Sequence, residues 1–79
     1  MYYVYIIQSK KDKSNYIGTT KDLKQRLQEH NRGIVRFTSS KIPYKLLWYC
    51  AFLSKKKALE FEKYLKSGSG IAFAKKRFL

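Results

Sequence analysis

The stretch NYIGTTKDLKQRLQEHN, residues 15–31, is the most informative part of the chain, because its pattern predicts a short β-strand followed directly by an α-helix. Tyr16 lies on the strand, and a glycine and two threonines follow it. On the helix, Arg26 and His30 are four residues apart and therefore share one face. The stretch thus predicts a tyrosine, an arginine and a histidine gathered at one strand-to-helix junction, a set suited to binding a phosphate.

Two further apolar stretches predict the other strands of a small sheet. Residues 2–8 (YYVYIIQ) carry β-branched and aromatic side chains on both faces, which indicates a strand covered on both sides. The polar residues 9–14 predict a hairpin leading to the strand at 15–19. Residues 44–52 (YKLLWYCAF) are almost continuously apolar, so we expect a central or fully covered strand there.

The first helix is predicted from the signals at its two ends. Thr19 to Asp22 has the T-x-x-D pattern of a capping box, so we expect the helix to begin there. It runs to about Arg32, and Gly33 is placed to end it. The buried side of this helix is marked by leucines at 23 and 27.

The second helix is predicted to begin at Ser54 and to run to about Lys66. On a helical wheel Glu62 falls within its apolar arc, whereas Glu60 falls on the opposite side and faces water. Residues 71–79 are compatible with a short amphipathic helix. We therefore expect residues 1–79 to form one α+β domain, a three-stranded antiparallel sheet flanked by helices in the order β-β-α-β-α with a short C-terminal helix.

The charge balance points to a polyanionic partner. Eighteen Lys and Arg face five Asp and Glu, for a net charge of +13, which is typical of nucleic-acid binding. A basic surface with no specific partner, and a plain surface loop over residues 31–43, remain the alternatives. The residues expected to contact a nucleic-acid backbone are Lys24, Arg32, Arg36, Thr38, Lys41, Lys75, Lys76 and Arg77.

Several classes of protein are excluded by what the sequence lacks. The single cysteine cannot form an internal disulfide, and the single histidine allows neither a zinc cluster nor a nucleophilic triad. No apolar run reaches 18 residues, and the first residues lack the order of a signal peptide. We therefore expect a cytoplasmic protein that does not cross a membrane and uses no small-molecule cofactor.

Glu62 is the acidic residue that calls for an explanation. Asp12 lies in a turn, Asp22 caps a helix, and Glu29 is placed to pair with Arg26 three residues before it. A carboxylate on an apolar face is costly unless it is paired, protonated or bound to a metal. Two explanations remain open, a salt bridge to Arg26 or a lysine, and a site for Mg²⁺ or Mn²⁺ that adds water and substrate phosphate.

The other candidate residues each have an ordinary explanation beside a functional one. Arg26 either snorkels to water from the edge of the apolar stripe or grips a phosphate with its planar fork. His30 is either a satisfied, half-buried side chain or a group for proton transfer. Tyr5 and Tyr16, on neighbouring strands, are either packing residues or phenols activated by a nearby cation.

The ordered set of these residues resembles the GIY-YIG nuclease family, and in particular its small members that consist of the nuclease domain alone. The resemblance covers essentially the whole chain and is carried by Tyr3-Val4-Tyr5, Tyr16-Ile17-Gly18, Arg26, His30, Asn31 and Glu62. It implies a three-stranded antiparallel sheet with flanking helices. It also implies metal-dependent hydrolysis of DNA phosphodiester bonds.

The resemblance implies a role for each matching residue. Tyr5 and Tyr16 match the motif tyrosines that place the phosphate and the attacking water, one as general base. Gly18 matches the glycine at which a side chain would crowd the site, and Arg26 matches the arginine that steadies the phosphate. His30 matches a histidine present in many members. The single metal-binding glutamate corresponds to Glu62, which would hold Mg²⁺ or Mn²⁺.

One departure from the family motif is visible, because Tyr3 stands where the family name has glycine. With no second domain in view, the resemblance implies weak sequence specificity. The target would then be selected by the structure of the DNA, as in repair or recombination, or by a protein partner. Two other functions stay open. In the first, the chain is a basic nucleic-acid-binding module without turnover, and in the second it binds an acidic protein.

Overall fold

The computed structural model describes residues 1–68 of the chain. Its elements confirm the predicted order β-β-α-β-α of an α+β fold. The strands and helices, with a 3-10 turn at Ser39–Lys41, are β1 (Tyr2–Ser9), β2 (Asn15–Thr20), α1 (Leu23–Asn31), β3 (Tyr44–Phe52) and α2 (Lys55–Lys66). The C-terminal helix predicted over residues 71–79 lies outside the described residues.

The three strands form one antiparallel sheet in the order β2-β1-β3. β1 is therefore central, and its Tyr5 lies opposite Gly18 of β2 and Tyr49 of β3. The prediction that β3 is central or fully covered is wrong. β3 is an edge strand, and Tyr49 and Ala51 are exposed on it.

The core has two parts because β1 is buried on both faces, as its sequence predicted. On one face Val4 and Ile6 pack with Ala58 and Leu65 of α2. On the other face the buried residues are Tyr5, Ile7 and Tyr44, and α1 covers them with its two leucines. The side chain of Tyr5 thus belongs to the α1 side of the sheet, whereas α2 covers the opposite side.

The start of α1 differs from the prediction. Thr19 and Thr20 continue β2, and the N-cap is Asp22, whose carboxylate accepts a hydrogen bond of 3.0 Å from the backbone N–H of Gln25. An aspartate N-cap of this kind stabilises a helix by about 1 kcal/mol. Gly33 ends the helix as predicted, with a φ of +75° that favours glycine.

The second helix begins as predicted, because the Ser54 hydroxyl accepts a hydrogen bond from the backbone N–H of Lys57. Glu60 is exposed and Glu62 is half-buried, which confirms the two sides that the helical wheel assigned. Neither helix in the described part of the chain combines the length and the apolar character needed to cross a bilayer.

Candidate active site

Tyr5 lies at the centre of the candidate site and is almost fully buried, with 1% of its surface exposed. Its ring lies over Gly18 of the neighbouring edge strand. A Cβ at Gly18 would come within 2.5 Å of the Tyr5 hydroxyl oxygen and 2.7 Å of Cζ. The glycine is therefore required here by close approach of a ring, which agrees with the crowding that the resemblance implied.

A buried hydrogen-bonded chain runs from Tyr5 through His30 to Thr38. The Tyr5 hydroxyl is 2.9 Å from His30 Nε2, and His30 Nδ1 is 2.7 Å from Thr38 Oγ1. Burial lowers the pKa of His30 below its usual 6.5, and the charge of Arg26 lowers it further, so the imidazole is neutral at pH 7. One ring nitrogen then donates and the other accepts.

The neighbours of the chain favour one tautomer of His30. The Thr38 hydroxyl is also 3.4 Å from the carbonyl oxygen of Val35, to which it can donate while it accepts from Nδ1–H. With Nδ1 protonated, Nε2 accepts the hydrogen bond that the Tyr5 hydroxyl donates. His30 is thus arranged to receive the phenolic proton.

The pKa of Tyr5 is raised from 10.0 to about 12. Burial is the largest cause, and the charges of Tyr16 and Glu62 add to it. A hydrogen-bonding interaction with the Arg26 guanidinium acts in the opposite direction. Tyr5 is therefore a neutral phenol at pH 7, and it can accept a proton from water only while it gives its own proton to His30.

Arg26 lies beside this phenol with its side chain about one-third exposed. Its guanidinium pairs with the Glu29 carboxylate at 3.1 Å, which confirms the predicted ion pair. Burial is the largest single effect and lowers the pKa of Arg26, but hydrogen bonding and charge interactions with Tyr5 and Glu29 together raise it. Arg26 therefore stays charged and keeps donors available on its exposed side for a phosphate oxygen.

Glu62 approaches the same edge of the sheet from α2. Its carboxylate accepts a hydrogen bond from the Thr19 hydroxyl of β2 and forms a 2.7 Å ion pair with Lys66, one turn along the helix. The Glu62 side chain is 21% exposed. Of the two explanations left open by the sequence, the structure contains the salt bridge to a lysine, and the carboxylate also remains accessible from solvent.

The residues around Glu62 fit Mg²⁺, which needs few protein ligands. Residues 1–68 contain no cluster of three or more His, Cys, Asp or Glu side chains that could enclose an ion. Mg²⁺ does not require such a cluster, since it commonly keeps its waters and takes one or two carboxylates together with substrate phosphate. Lys66 is 51% exposed and long, so it can move away from Glu62 when an ion arrives.

Tyr16 completes the aromatic part of the site. Its ring centroid is 5.1 Å from that of His30 and 6.4 Å from that of Tyr5. Tyr16 is half-buried, so one part of its ring faces the candidate site and another faces outward. The structure therefore brings Tyr5, Tyr16, Arg26 and His30 together around one edge of the sheet, with Glu62 close enough to influence the pKa of Tyr5.

The residues predicted to contact a nucleic-acid backbone differ in their exposure to solvent. Lys24, Arg32, Arg36 and Lys41 are exposed as expected, and Lys41 forms a 3.3 Å ion pair with Asp12. Lys75, Lys76 and Arg77 lie outside the described residues.

Thr38 does not lie on this basic surface. It is 1% exposed and bonded to His30, so we remove it from the set expected to contact DNA. Its hydroxyl satisfies a buried ring nitrogen, and its place in the chain of hydrogen bonds is a position that sequence reasoning missed.

Two further residues of the site were missed, Lys66 and Thr19. Lys66 could have been found, because it follows Glu62 by four residues on a helix and opposite charges at that spacing pair. Thr19 could not, because its contact with Glu62 joins residues 43 apart in the chain. Asn31, which the resemblance named without a role, fixes the end of α1 to β3 through two hydrogen bonds with the backbone of Tyr44, at 3.1 and 2.6 Å.

Known proteins resemble this chain over most of its length. The model of the GIY-YIG catalytic domain matches residues 1–72. A UPF0213 protein of Streptococcus pneumoniae serotype 4 is 38% identical over 65 residues, which span 81% of this chain and 65% of that protein. Another from Clostridium perfringens is 39% identical over 67 residues, which span 84% of this chain and 71% of that protein.

A solved structure also resembles this chain over most of its length. The solution NMR structure of a UPF0213 protein from Bacillus halodurans is 32% identical in sequence and has a TM-score of 0.58. The match covers 96% of this chain and 84% of that chain. The fold is therefore shared with a protein whose name states no activity.

Proposed function

The chain belongs to the GIY-YIG catalytic-domain family, and from this premise we propose that it is a divalent-metal-dependent endonuclease that hydrolyses phosphodiester bonds of DNA. The observation that carries the proposal is the buried 2.9 Å hydrogen bond between Tyr5 and His30. Arg26 interacts with the same Tyr5 hydroxyl, and Glu62 bonds to Thr19 of the neighbouring strand β2. A phenol bonded to a neutral imidazole is a route for removing a proton from water.

The proposed hydrolysis forms one bond to phosphorus, breaks another and moves two protons within the site. The oxygen of water forms a bond to phosphorus while the ester bond to one sugar oxygen breaks. Water gives a proton to the Tyr5 oxygen, and the phenolic proton of Tyr5 passes to His30 Nε2. The departing sugar oxygen takes its proton from solvent. Because the pKa of Tyr5 is about 12, the phenol cannot act as a base without this second transfer.

Charge on the phosphate is the second requirement of the reaction. Arg26 donates to the phosphate oxygens and neutralises part of the charge that grows during attack. Glu62 would hold Mg²⁺ or Mn²⁺, which supplies Lewis-acid stabilisation of the phosphate and of the departing oxygen when it is bound. Tyr16 positions the phosphate from the β2 side.

The proposed substrate is DNA with little sequence specificity. The exposed cations Lys24, Arg32, Arg36 and Lys41 suit contacts to phosphates, and such contacts carry no sequence information by themselves. Selection then rests on the structure of the DNA or on a protein partner that brings the nuclease to its target.

A second candidate function is a basic nucleic-acid-binding module without turnover. The 2.7 Å ion pair between Glu62 and Lys66 favours it, since this pair already neutralises the carboxylate that would hold the ion. Both functions predict binding that weakens with salt, by about one logarithmic unit per phosphate neutralised for each tenfold rise in salt. They differ in the consequence of changing Glu62.

The test compares Glu62→Gln with Glu60→Gln, an exposed glutamate of the same helix. Branched, flapped, duplex and single-stranded DNA are incubated with Mg²⁺, Mn²⁺ or EDTA. We expect Glu62→Gln to lose cleavage by at least about a hundredfold while binding DNA as well as the wild type, because several kcal/mol of charge stabilisation are removed. Glu60→Gln should cleave normally. If the wild type cleaves none of the four substrates in the presence of either metal ion, the protein is better described as a binding module.

A further inference from the structure

Phe37 packs against Tyr16 but has no role in the proposed reaction. Its side chain is 83% exposed, more than any other aromatic side chain among the described residues. Its ring centroid is 5.8 Å from that of Tyr16, which in turn is 5.1 Å from that of His30. Three rings thus form a column that leads from the buried site to solvent, and Phe37 is its outer end.

The segment that carries Phe37 is fixed in place. Next to it, Thr38 is buried and bonded to His30 at 2.7 Å. On its other side the carbonyl oxygen of Arg36 accepts a 3.0 Å hydrogen bond from the Ser39 hydroxyl. The backbone N–H of Thr38 donates to Val35 at 3.1 Å. The ring of Phe37 is therefore presented to solvent by an ordered backbone, which lowers the entropy lost when a ligand stacks on it.

We propose that Phe37 is a stacking platform for one unpaired base of the nucleic acid whose phosphate lies at Tyr16 and Arg26. The inference rests on the proposed function, because it takes the bound phosphate from that site. It adds the class of substrate: DNA with an unpaired nucleotide beside the cleaved bond, such as a flap, a branch or a single strand.

Charge supports a nucleotide as the occupant of this surface. Arg32 and Arg36 are exposed in the same segment, and the chain carries a net charge of +13. An exposed aromatic ring among cations is the arrangement with which proteins bind single-stranded nucleic acid without sequence preference. An apolar patch for a protein partner would be less charged at its centre.

The base must be unpaired because of geometry. In a duplex each base is covered on both faces by its neighbours, so a ring can reach a base face only where the stack is interrupted. Every base has such a face, so stacking on Phe37 selects the structure of the DNA and not its sequence.

The test measures binding in EDTA, where no cleavage occurs. Oligonucleotides carry the fluorescent base 2-aminopurine either as the unpaired base of a flap or within a continuous duplex. We compare the wild type, Phe37→Ala, Phe37→Trp and Leu53→Ala. Leu53 is the matched control, an 85% exposed apolar side chain on the connection between β3 and α2. Circular dichroism checks that each variant folds.

We expect the wild type to quench the unpaired 2-aminopurine and to bind the flap about tenfold more tightly than Phe37→Ala, the effect usual for loss of one stacked base. Phe37→Trp should restore the affinity, and Leu53→Ala should match the wild type. Affinity for the continuous duplex should be the same in all four proteins.

The inference is overturned if Phe37→Ala binds the flap as tightly as the wild type, or if it weakens flap and duplex equally. Capture of an apolar peptide at Phe37 without quenching of 2-aminopurine would also overturn it, in favour of a protein partner. Failure of the nuclease proposal is separable, since quenching in EDTA requires no cleavage. Quenching that depends on Phe37 without cleavage in Mg²⁺ or Mn²⁺ refutes only catalysis.

Discussion

Replacement of Gly18 by alanine tests the packing at the centre of the site. The added Cβ would lie 2.5 Å from the Tyr5 hydroxyl oxygen, 2.7 Å from Tyr5 Cζ and 3.1 Å from Tyr16 Cε2. Carbon contacts are most favourable near 3.5–4.0 Å, so the Tyr5 ring must retreat by roughly 1 Å. Because Tyr5 is 1% exposed and enclosed by the α1 side of the core, there is little free space into which it can move.

The movement separates the Tyr5 hydroxyl from His30 Nε2, which are 2.9 Å apart. Overpacking of a core costs about 1–3 kcal/mol, and the buried hydrogen bond adds about 1 kcal/mol, so we expect Gly18→Ala to lose about 2–4 kcal/mol of stability. A displacement of about 1 Å at a catalytic group costs about a hundredfold in rate. Cleavage of flapped DNA by this variant should fall by that factor.

Urea unfolding, followed by far-ultraviolet circular dichroism, measures the free energy of unfolding. Gly33→Ala is the matched control, because its Cβ would have only Ser39 Cβ nearby, at 3.9 Å, whereas its φ of +75° is unfavourable for alanine. We expect that variant to lose about 1 kcal/mol and to keep its cleavage rate. In the Tyr5→Phe background the closest contact of Gly18→Ala is removed, so its cost in stability should decrease.

Two results would contradict this reasoning. One is a free energy of unfolding for Gly18→Ala within about 0.5 kcal/mol of the wild type, the range of an ordinary surface substitution. The other is an equal cost of Gly18→Ala with and without the Tyr5 hydroxyl. Both measurements concern folding alone, so they hold whether or not the protein cleaves DNA.

Two other predictions concern the charges of the site. Lys66→Gln frees Glu62 from its ion pair, and exposed pairs of this kind contribute at most about 1 kcal/mol. The Mn²⁺ concentration for half-maximal binding, measured by calorimetry, should therefore fall by up to about fivefold. An unchanged value would show that Lys66 does not compete with the ion for Glu62. The pKa of His30 is lowered in the folded state, so the unfolded chain binds the proton more readily and stability should fall as the pH drops below about 6.5. The value of kcat/KM should fall only at a lower pH, where the imidazole of the folded protein becomes protonated. Replacement of His30 by glutamine should remove this dependence of stability between pH 5 and 7, and an unchanged slope would assign it to another group.

Much of the fold could be predicted from neighbouring residues. Three predictions are confirmed because each depends on a few residues that are close in sequence: the burial of β1 on both faces, the serine that caps α2 and the glycine that ends α1. The i to i+3 pair of Arg26 and Glu29 is confirmed for the same reason.

The wrong predictions arose where a distant contact outweighed a local pattern. Thr19 fits a capping box, but it stays in β2, where its hydroxyl bonds to Glu62 of α2. Thr38 lies in a polar, basic segment, but His30 draws it into the interior. The apolar run of β3 suggested a central strand, but β1 pairs with both of the other strands and occupies that place.

The position of β2 at the edge of the sheet is what the proposed site requires, because its residues come from opposite faces of the sheet. Tyr5 belongs to the α1 side of the sheet and Glu62 to α2 on the other side. A further strand beyond β2 would separate them, whereas an edge strand lets both approach its open side. Gly18 lets the Tyr5 ring lie close over this strand, because it places no side chain between them. The strand order, which the local pattern did not reveal, therefore brings a phenol and a carboxylate 57 positions apart in the chain to the same strand, as the proposed action on one phosphate requires.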